Sequence, residues 1–134
     1  MADSAGKKAD DGRFAYDGLE RIFHEKARLG IMASLMATPD GLLFGELKKL
    51  CALTDGNLSR HIQVLSDAGF VEVWKGFQRK KPQTLFRITA DGRERFRGYL
   101  GELERVVTDM AAARGTASST GREELPPGFV PVGS

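Results

Sequence analysis

The segment LTDGNLSRHIQVLSDAGF, near the middle of the chain, specifies one helix at both of its ends. Thr54 is a good N-cap because its hydroxyl can accept a hydrogen bond from an otherwise unpaired amide one turn into the helix. Asp55 suits the positive end of the helix dipole. Leu53 and Leu58 have the spacing of a hydrophobic staple, and Gly69 can close the helix in the left-handed conformation. The sequence therefore predicts a helix of about fourteen residues.

Two further helical patterns precede this segment. Apolar residues recur at spacings of three and four over residues 19–35, which predicts a helix that ends at Pro39 and the Asp40-Gly41 turn. A bend or break near Phe23-His24 is compatible with the pattern. Residues 44–51 predict a short helix with one apolar side, formed by Phe44, Leu47, Leu50 and Cys51.

A hairpin and a long helix are predicted after Gly69. The runs FVEVWKGF and TLFRI alternate as strands do, and the basic stretch QRKKP between them is predicted to be a loop. Thr89 can cap the last helix. The apolar residues of that helix have heptad spacing, and they are Phe96, Tyr99, Leu103, Val106 and Met110, broadened by Leu100 and Val107.

This order of elements predicts a fold that is mainly α-helical with a small β-hairpin. A short helix, a tight turn and a capped second helix form a helix-turn-helix, and the hairpin that follows forms a wing. We expect one winged helix-turn-helix domain over residues 17–113. The polar residues 1–16 are predicted to be a flexible tail, and residues 114–134, rich in Gly, Ser, Thr and Pro, a disordered one.

The outward face of the capped helix has the chemistry of a DNA-reading surface. Leu58, Ile62 and Leu65 form the buried stripe, so polar residues point away from the core. Any amphipathic surface helix has a polar outer face. The position of this helix between a short helix and a basic hairpin nevertheless favours DNA. The residues suited to base edges or phosphates are Thr54, Asn57, Arg60 and Gln63.

Positive charge is concentrated in the same part of the chain. Nine basic and four acidic residues occur from Leu58 to Arg97, although the net charge of the whole chain is only +2. The wing tip contributes Lys75, Arg79, Lys80 and Lys81 and no acid. Such a tip can simply be solvated, but beside a DNA-reading helix it is suited to contact the DNA backbone or the minor groove.

The stretch from LTDGNLSRHIQVLSDAGF through ITADGRERF resembles the core of small winged-helix transcription factors of the MarR-like and ArsR-like type. The resemblance extends over roughly Leu19 to Met110 and implies a homodimer in which the first and last helices pack across a two-fold axis. The heptad stripe supports a dimer independently, although that stripe could instead cover the chain's own first helix. The expected dimerisation residues are Leu19, Ile22, Phe23, Phe96, Tyr99, Leu100, Leu103, Val106, Val107 and Met110.

The remaining reactive residues indicate no metal, cofactor or catalytic site. Cys51, His24 and His61 lack the paired spacing of metal ligands, and no nucleophile–base motif is present. His61 could contact a phosphate or pack at the edge of the helix. MarR-like relatives often bind a small-molecule effector, and aromatic candidates for such a site are Phe14, Tyr16, Phe23 and Tyr99, which core packing would explain equally well.

Double-stranded DNA is therefore the expected partner, with a role as a transcriptional regulator. The alternative is a winged-helix protein-interaction module without DNA binding. That module would predict neutral or acidic residues at Arg60 and the wing tip, where cations stand. Charged residues interrupt every apolar stretch and the first residues contain no apolar run, so we expect a cytoplasmic protein that does not associate with membranes.

Overall fold

The computed structural model describes residues 11–117 and 126–132. This part of the chain has four helices and a three-stranded antiparallel sheet of order β1-β3-β2, which confirms the predicted winged-helix architecture. A single 3₁₀ turn, Arg21–Phe23, precedes the first helix. The helices are α1 (Lys26–Ala37), α2 (Phe44–Cys51), α3 (Asp55–Asp67) and α4 (Ala90–Ala117), and the strands are β1 (Leu42–Leu43), β2 (Val71–Gln78) and β3 (Lys81–Ile88).

The first helix is shorter than the apolar pattern predicts. A break near Phe23-His24, which the pattern allowed, is present, because Glu25 has extended dihedrals (φ −136°, ψ 131°) and α1 begins only after it. Packing explains the break. Phe23 is fully buried, and its ring centroid lies 5.2–5.5 Å from those of three other aromatic residues, Phe70, Phe96 and Tyr99. A continuous helix was therefore the wrong prediction for residues 19–25.

The core lies between the helices and one face of the sheet. The short helix α2 contributes Leu47 to it, but Leu50 is 64 % exposed and does not belong to the buried side on which the sequence placed it. The buried apolar residues are Phe23, Ile31, Met32, Leu35, Leu42, Leu47, Leu58, Ile62, Leu65, Phe70, Val71, Phe86, Ile88, Phe96 and Tyr99.

The predicted caps of α3 are confirmed. The Thr54 hydroxyl accepts a hydrogen bond from the amide of Asn57 at 3.2 Å. At the other end Gly69 has a φ of +84°, and the amide of Phe70 returns to the carbonyl of Leu65 at 3.0 Å. Both ends of α3 are thus set by local sequence, which fixes the direction of its outer face.

The wing is a longer and tighter hairpin than predicted. β2 and β3 pair without interruption from Val71 opposite Ile88 to Gln78 opposite Lys81. Only Arg79 and Lys80 form the turn, and both have positive φ (52° and 67°), as a type I′ turn requires. The loop predicted over QRKKP is therefore wrong at three of its five residues, because the paired strands continue through Gln78, Lys81 and Pro82.

One threonine joins the base of the hairpin to α4. The Thr89 hydroxyl accepts from the amide of Gly92 at 2.9 Å, which confirms Thr89 as the cap, and donates to the carbonyl of Gly69 at 2.7 Å. The Thr89 amide donates to the carbonyl of Phe70 at 3.0 Å. We call these three bonds the Thr89 clasp. They connect Gly69 and Phe70, which follow α3, to the start of α4.

The predicted tails differ from the structure where it describes them. α4 continues to Ala117, past the boundary expected at residue 114. Residues 11–16 contact α4, since the Tyr16 hydroxyl donates to the Asp109 carboxylate at 2.7 Å and Arg13 lies 3.6 Å from the same carboxylate. The rest of the predicted tails, residues 1–10, 118–125 and 133–134, lies outside the described residues.

Candidate nucleic-acid interface

The outward face of α3 brings together three of the residues predicted to read DNA. Asn57, Arg60 and Gln63 are all exposed. Arg60 Nη2 donates to Asn57 Oδ1 at 3.3 Å, and Gln63 Nε2 donates to Asp67 Oδ1 at 2.8 Å. These exposed hydrogen bonds are local, so the side chains can exchange them for bonds to base edges at little cost.

The N-terminal end of α3 is open to close approach. An added Cβ at Gly56 would meet no atom within 4 Å. Lys48 of α2 lies 2.7 Å from the Asp55 carboxylate and offsets its negative charge. Thr54 is exposed, but its oxygen already serves as the cap. Ser59, next to Arg60, is also exposed on α3 and was not predicted from the sequence, because its short side chain is a weaker signal for base contact than the longer polar ones.

His61 does not belong to this exposed face. Its side chain is 5 % exposed, with Nδ1 3.3 Å from Arg28 Nη1 and Nε2 3.6 Å from Glu25 Oε1. A guanidinium can only donate, so Nδ1 accepts and the neutral ring carries its proton on Nε2. His61 therefore joins α3 to α1. Of the two roles that the sequence left open for His61, a DNA phosphate contact and packing at the helix edge, the first is corrected to the second, since the helix pattern alone could not show its partners in and before α1.

The wing places its four cations in solvent. Lys75, Arg79, Lys80 and Lys81 are exposed, and none takes part in the ion pairs found within residues 11–117 and 126–132. Two aromatic residues of β2 are exposed beside them, Trp74 and Phe77. Neither ring was among the residues predicted to contact DNA. Their position in the sequence could have indicated such a contact, because both lie in the part of the hairpin that flanks the basic tip.

The predicted dimerisation residues fall into two groups. Phe23, Phe96 and Tyr99 are at most 2 % exposed and pack within the protomer, so their assignment to a dimer interface is corrected. Leu19, Ile22, Leu103 and Val106 are half-buried, whereas Leu100, Val107 and Met110 are 41 %, 66 % and 61 % exposed. The face of α4 that packs into the core near Phe96 thus continues uncovered toward the end of the helix. We call Leu100, Leu103, Val106, Val107 and Met110 the α4 stripe.

The aromatic candidates for an effector site are mostly engaged elsewhere. Phe23 and Tyr99 belong to the core, and Tyr16 is bonded to Asp109, while Phe14 is 62 % exposed. A different opening exists between α1 and α2, a cavity of about 650 Å³ lined largely by apolar groups. Its lining includes Lys26, Leu29, Ser34, Leu50 and Cys51.

Both tyrosines hold their protons more tightly than a free side chain. The hydrogen bond from Tyr16 to Asp109 raises the pKa of that phenol above 10.0, and burial raises the pKa of Tyr99 above the same value. A group whose pKa is higher in the folded state stabilises the fold fully below its unfolded pKa and loses this contribution as the pH rises through the folded value. The two raised pKa values therefore predict that the fold becomes less stable as the pH rises through the alkaline range.

We expect the free energy of unfolding to fall as the pH rises from about 9 to about 11. The Tyr99→Phe variant should show a shallower decline than the unmodified chain, because it removes one of the two raised phenols. Urea unfolding at a series of pH values measures the slopes, and tyrosinate absorbance gives the two midpoints. Equal slopes, or tyrosinate midpoints at or below pH 10, would contradict the assignment.

No group of three or more His, Cys, Asp or Glu side chains within residues 11–117 and 126–132 is arranged to hold a metal ion. None of the helices in that same part of the chain is long and apolar enough to cross a membrane.

The chain belongs to the winged helix DNA-binding domain family, because its residues 27–107 match the sequence pattern of that family. An uncharacterized protein of Methanocaldococcus jannaschii is 36% identical over 83 residues, which cover 62% of this chain and 89% of that protein. A transcriptional regulator homologue from Pyrococcus horikoshii is similar in structure, with a TM-score of 0.63 and 28% identity over 82% of this chain and 98% of the other. MepR of S. aureus, solved in complex with DNA, shares the fold at a TM-score of 0.50 and 18% identity over 89% and 94% of the two chains. The resemblance to winged-helix transcriptional regulators, expected from the sequence, is confirmed.

Proposed function

We propose that this winged-helix protein is a sequence-specific transcriptional regulator, acting as a repressor, that binds double-stranded DNA as a homodimer. In this proposal α3 enters the major groove and the wing contacts the flanking backbone. A two-fold dimer would present its two α3 helices to half-sites about 34–36 Å apart. Repression would follow from occupying a promoter.

The observation that carries the proposal is the exposed polar face of α3 next to unpaired positive charge. Asn57, Arg60 and Gln63 offer donors and acceptors suited to base edges. The wing cations have no ion-pair partner within the described chain, so phosphate groups can neutralise them. The combination of base-reading and phosphate-binding groups favours DNA over a solvated surface.

The direct test is fluorescence anisotropy with labelled duplex DNA from the region upstream of the protein's own gene. We expect tight binding that prefers this duplex to a scrambled one and weakens steeply with added salt. Equal binding to both duplexes would argue against sequence specificity. No binding to either at low salt would contradict the proposal and favour the alternative, a protein-interaction module.

Replacement of Arg60 tests base reading separately from phosphate binding. We expect Arg60→Ala to lower specific affinity by about 1–3 kcal/mol and to weaken discrimination between the native and scrambled duplexes. Lys80→Ala serves as the contrast. It should weaken binding to both duplexes alike and reduce the salt slope by about one. Unchanged discrimination in Arg60→Ala would remove Arg60 from base readout.

A small-molecule effector forms the last part of the proposal, and the cavity between α1 and α2 supports it. Because α2 is the first helix of the helix-turn-helix, a molecule held against α1 would shift α2 relative to the rest of the domain. The solved neighbours include NadR with 4-hydroxyphenylacetate and a heme sensor of Streptococcus agalactiae. In the anisotropy assay, an effector should release bound DNA; compounds that bind the cavity without changing DNA affinity would argue against regulation.

A further inference from the structure

Phe77 is an aromatic residue that the fold does not use. Its side chain is 74 % exposed, although it lies in the regular part of β2. The pairing register places it directly opposite Pro82, one pair before the last pair of the hairpin, Gln78 opposite Lys81. Along the same face of β2, Val71 is buried and Val73 is 40 % exposed, so exposure increases toward the tip and Phe77 lies beyond the body of the domain.

The surroundings of Phe77 are positively charged. Lys75 precedes it on the same face of the strand, and Arg79, Lys80 and Lys81 follow at the tip. The one acidic residue of β2, Glu72, accepts a hydrogen bond from the Trp74 indole at 2.9 Å. An apolar side chain flanked in sequence by cations is poorly suited to an apolar protein surface, because the four charges would have to be desolvated. It is well suited to a polyanion that exposes apolar sugar and base faces.

We propose that Phe77 is an apolar DNA contact, whose ring enters the minor groove beside the major groove occupied by α3. This inference rests on the proposed function and adds an aromatic side chain to the polar and cationic ones proposed to contact DNA. The cations bind the phosphates on either side of the groove, and the ring packs against sugars or between base pairs, as apolar side chains of minor-groove proteins do. Pro82 stiffens the opposite strand at the same level.

Removal of the ring should change DNA binding without changing the fold. Because Phe77 is mostly exposed, Phe77→Ala should leave the unfolding midpoint close to that of the unmodified chain. Trp74, the only tryptophan, lies three residues away, and its emission reports whether the wing keeps its structure. Phe129 is a matched control, since it is 66 % exposed in the described segment 126–132.

The experiment measures the affinity of the full chain for its upstream duplex at several salt concentrations. We expect Phe77→Ala to weaken binding roughly ten-fold with an unchanged salt slope, because the ring neutralises no phosphate. Phe77→Leu should recover part of the loss, and Phe129→Ala should bind as the unmodified chain does. A duplex labelled at both ends should also be bent less by Phe77→Ala if the ring enters between base pairs.

Each other outcome has a distinct meaning. If Phe77→Ala binds as tightly as the unmodified chain, the inference is wrong while the proposed function stands. A reduced salt slope in Phe77→Ala would also overturn it, because the ring would then only position the cations. If the unmodified chain binds no duplex at low salt, both the inference and the proposed function fail.

Discussion

Gly92→Ala should be among the most destabilising single substitutions in this chain. A Cβ at Gly92 would lie 2.2 Å from the carbonyl oxygen of Phe70 and 2.9 Å from its carbonyl carbon and Cα. These are backbone atoms, and Phe70 is held in place by its buried ring and by the Thr89 clasp. The start of α4 or the start of β2 must therefore move. We expect a loss of about 3 kcal/mol in the free energy of unfolding, at the upper end of the range for overpacking.

Gly98 provides the matched control within the same helix. An added Cβ there meets nothing within 4 Å, and Gly98 is exposed. Gly98→Ala should therefore stabilise the fold by about 0.5–1 kcal/mol, because alanine favours the helix more than glycine does. Chemical denaturation of both variants measures the difference. If Gly92→Ala unfolds at the same denaturant concentration as Gly98→Ala, the close approach of α4 to Phe70 is wrong.

Charged substitutions in the α4 stripe should have the second large effect, the loss of the proposed homodimer. Val107 and Met110 are more than half exposed, so charges at these positions should not unfold the protomer. In a two-fold interface each substitution occurs twice, and a buried unpaired carboxylate is costly. We expect Val107→Asp combined with Met110→Asp to give a species of 14.6 kDa in light scattering, instead of twice that mass. Affinity for a two-half-site duplex should fall by at least about a hundred-fold, since one half-site is lost.

Thr108→Asp is the control for this pair. Thr108 is exposed and lies next to Val107 in sequence but about 100° away around the helix. It should leave both the mass and the DNA affinity unchanged. A double variant that keeps the dimer mass and a native circular dichroism spectrum would show that the α4 stripe is not the interface. Leu103 is less suitable for this test, because it packs against the core as well.

Local signals explain why much of the fold could be predicted. The ends of α3 and the start of α4 are set by side-chain oxygens and a left-handed glycine within a few residues, so Thr54, Gly69 and Thr89 could be read from the sequence. The polar face of α3 followed from helical periodicity. Alternating strand patterns around the basic run QRKKP predicted the wing and its cations.

The errors arose where distant residues decide the outcome. Phe23 interrupts an apolar helical pattern because it packs against three rings from later elements. His61 looked like a surface residue until Arg28 and Glu25, more than thirty residues earlier, were seen to lie beside it. Phe96 and Tyr99 share one stripe with Val107, and the sequence could not show where along α4 the body of the domain ends.

The Thr89 clasp has a consequence for how such a domain can diversify. Its three hydrogen bonds close the hairpin at its base, where β3 also pairs with β1 through Leu85 and Phe86. Beyond Trp74 and Thr84 the wing has no such attachment and is exposed or half-buried. Insertions, deletions or a transplanted tip can therefore be accommodated there without moving α3 or α4. The length and chemistry of the wing can thus change while the helices keep their arrangement.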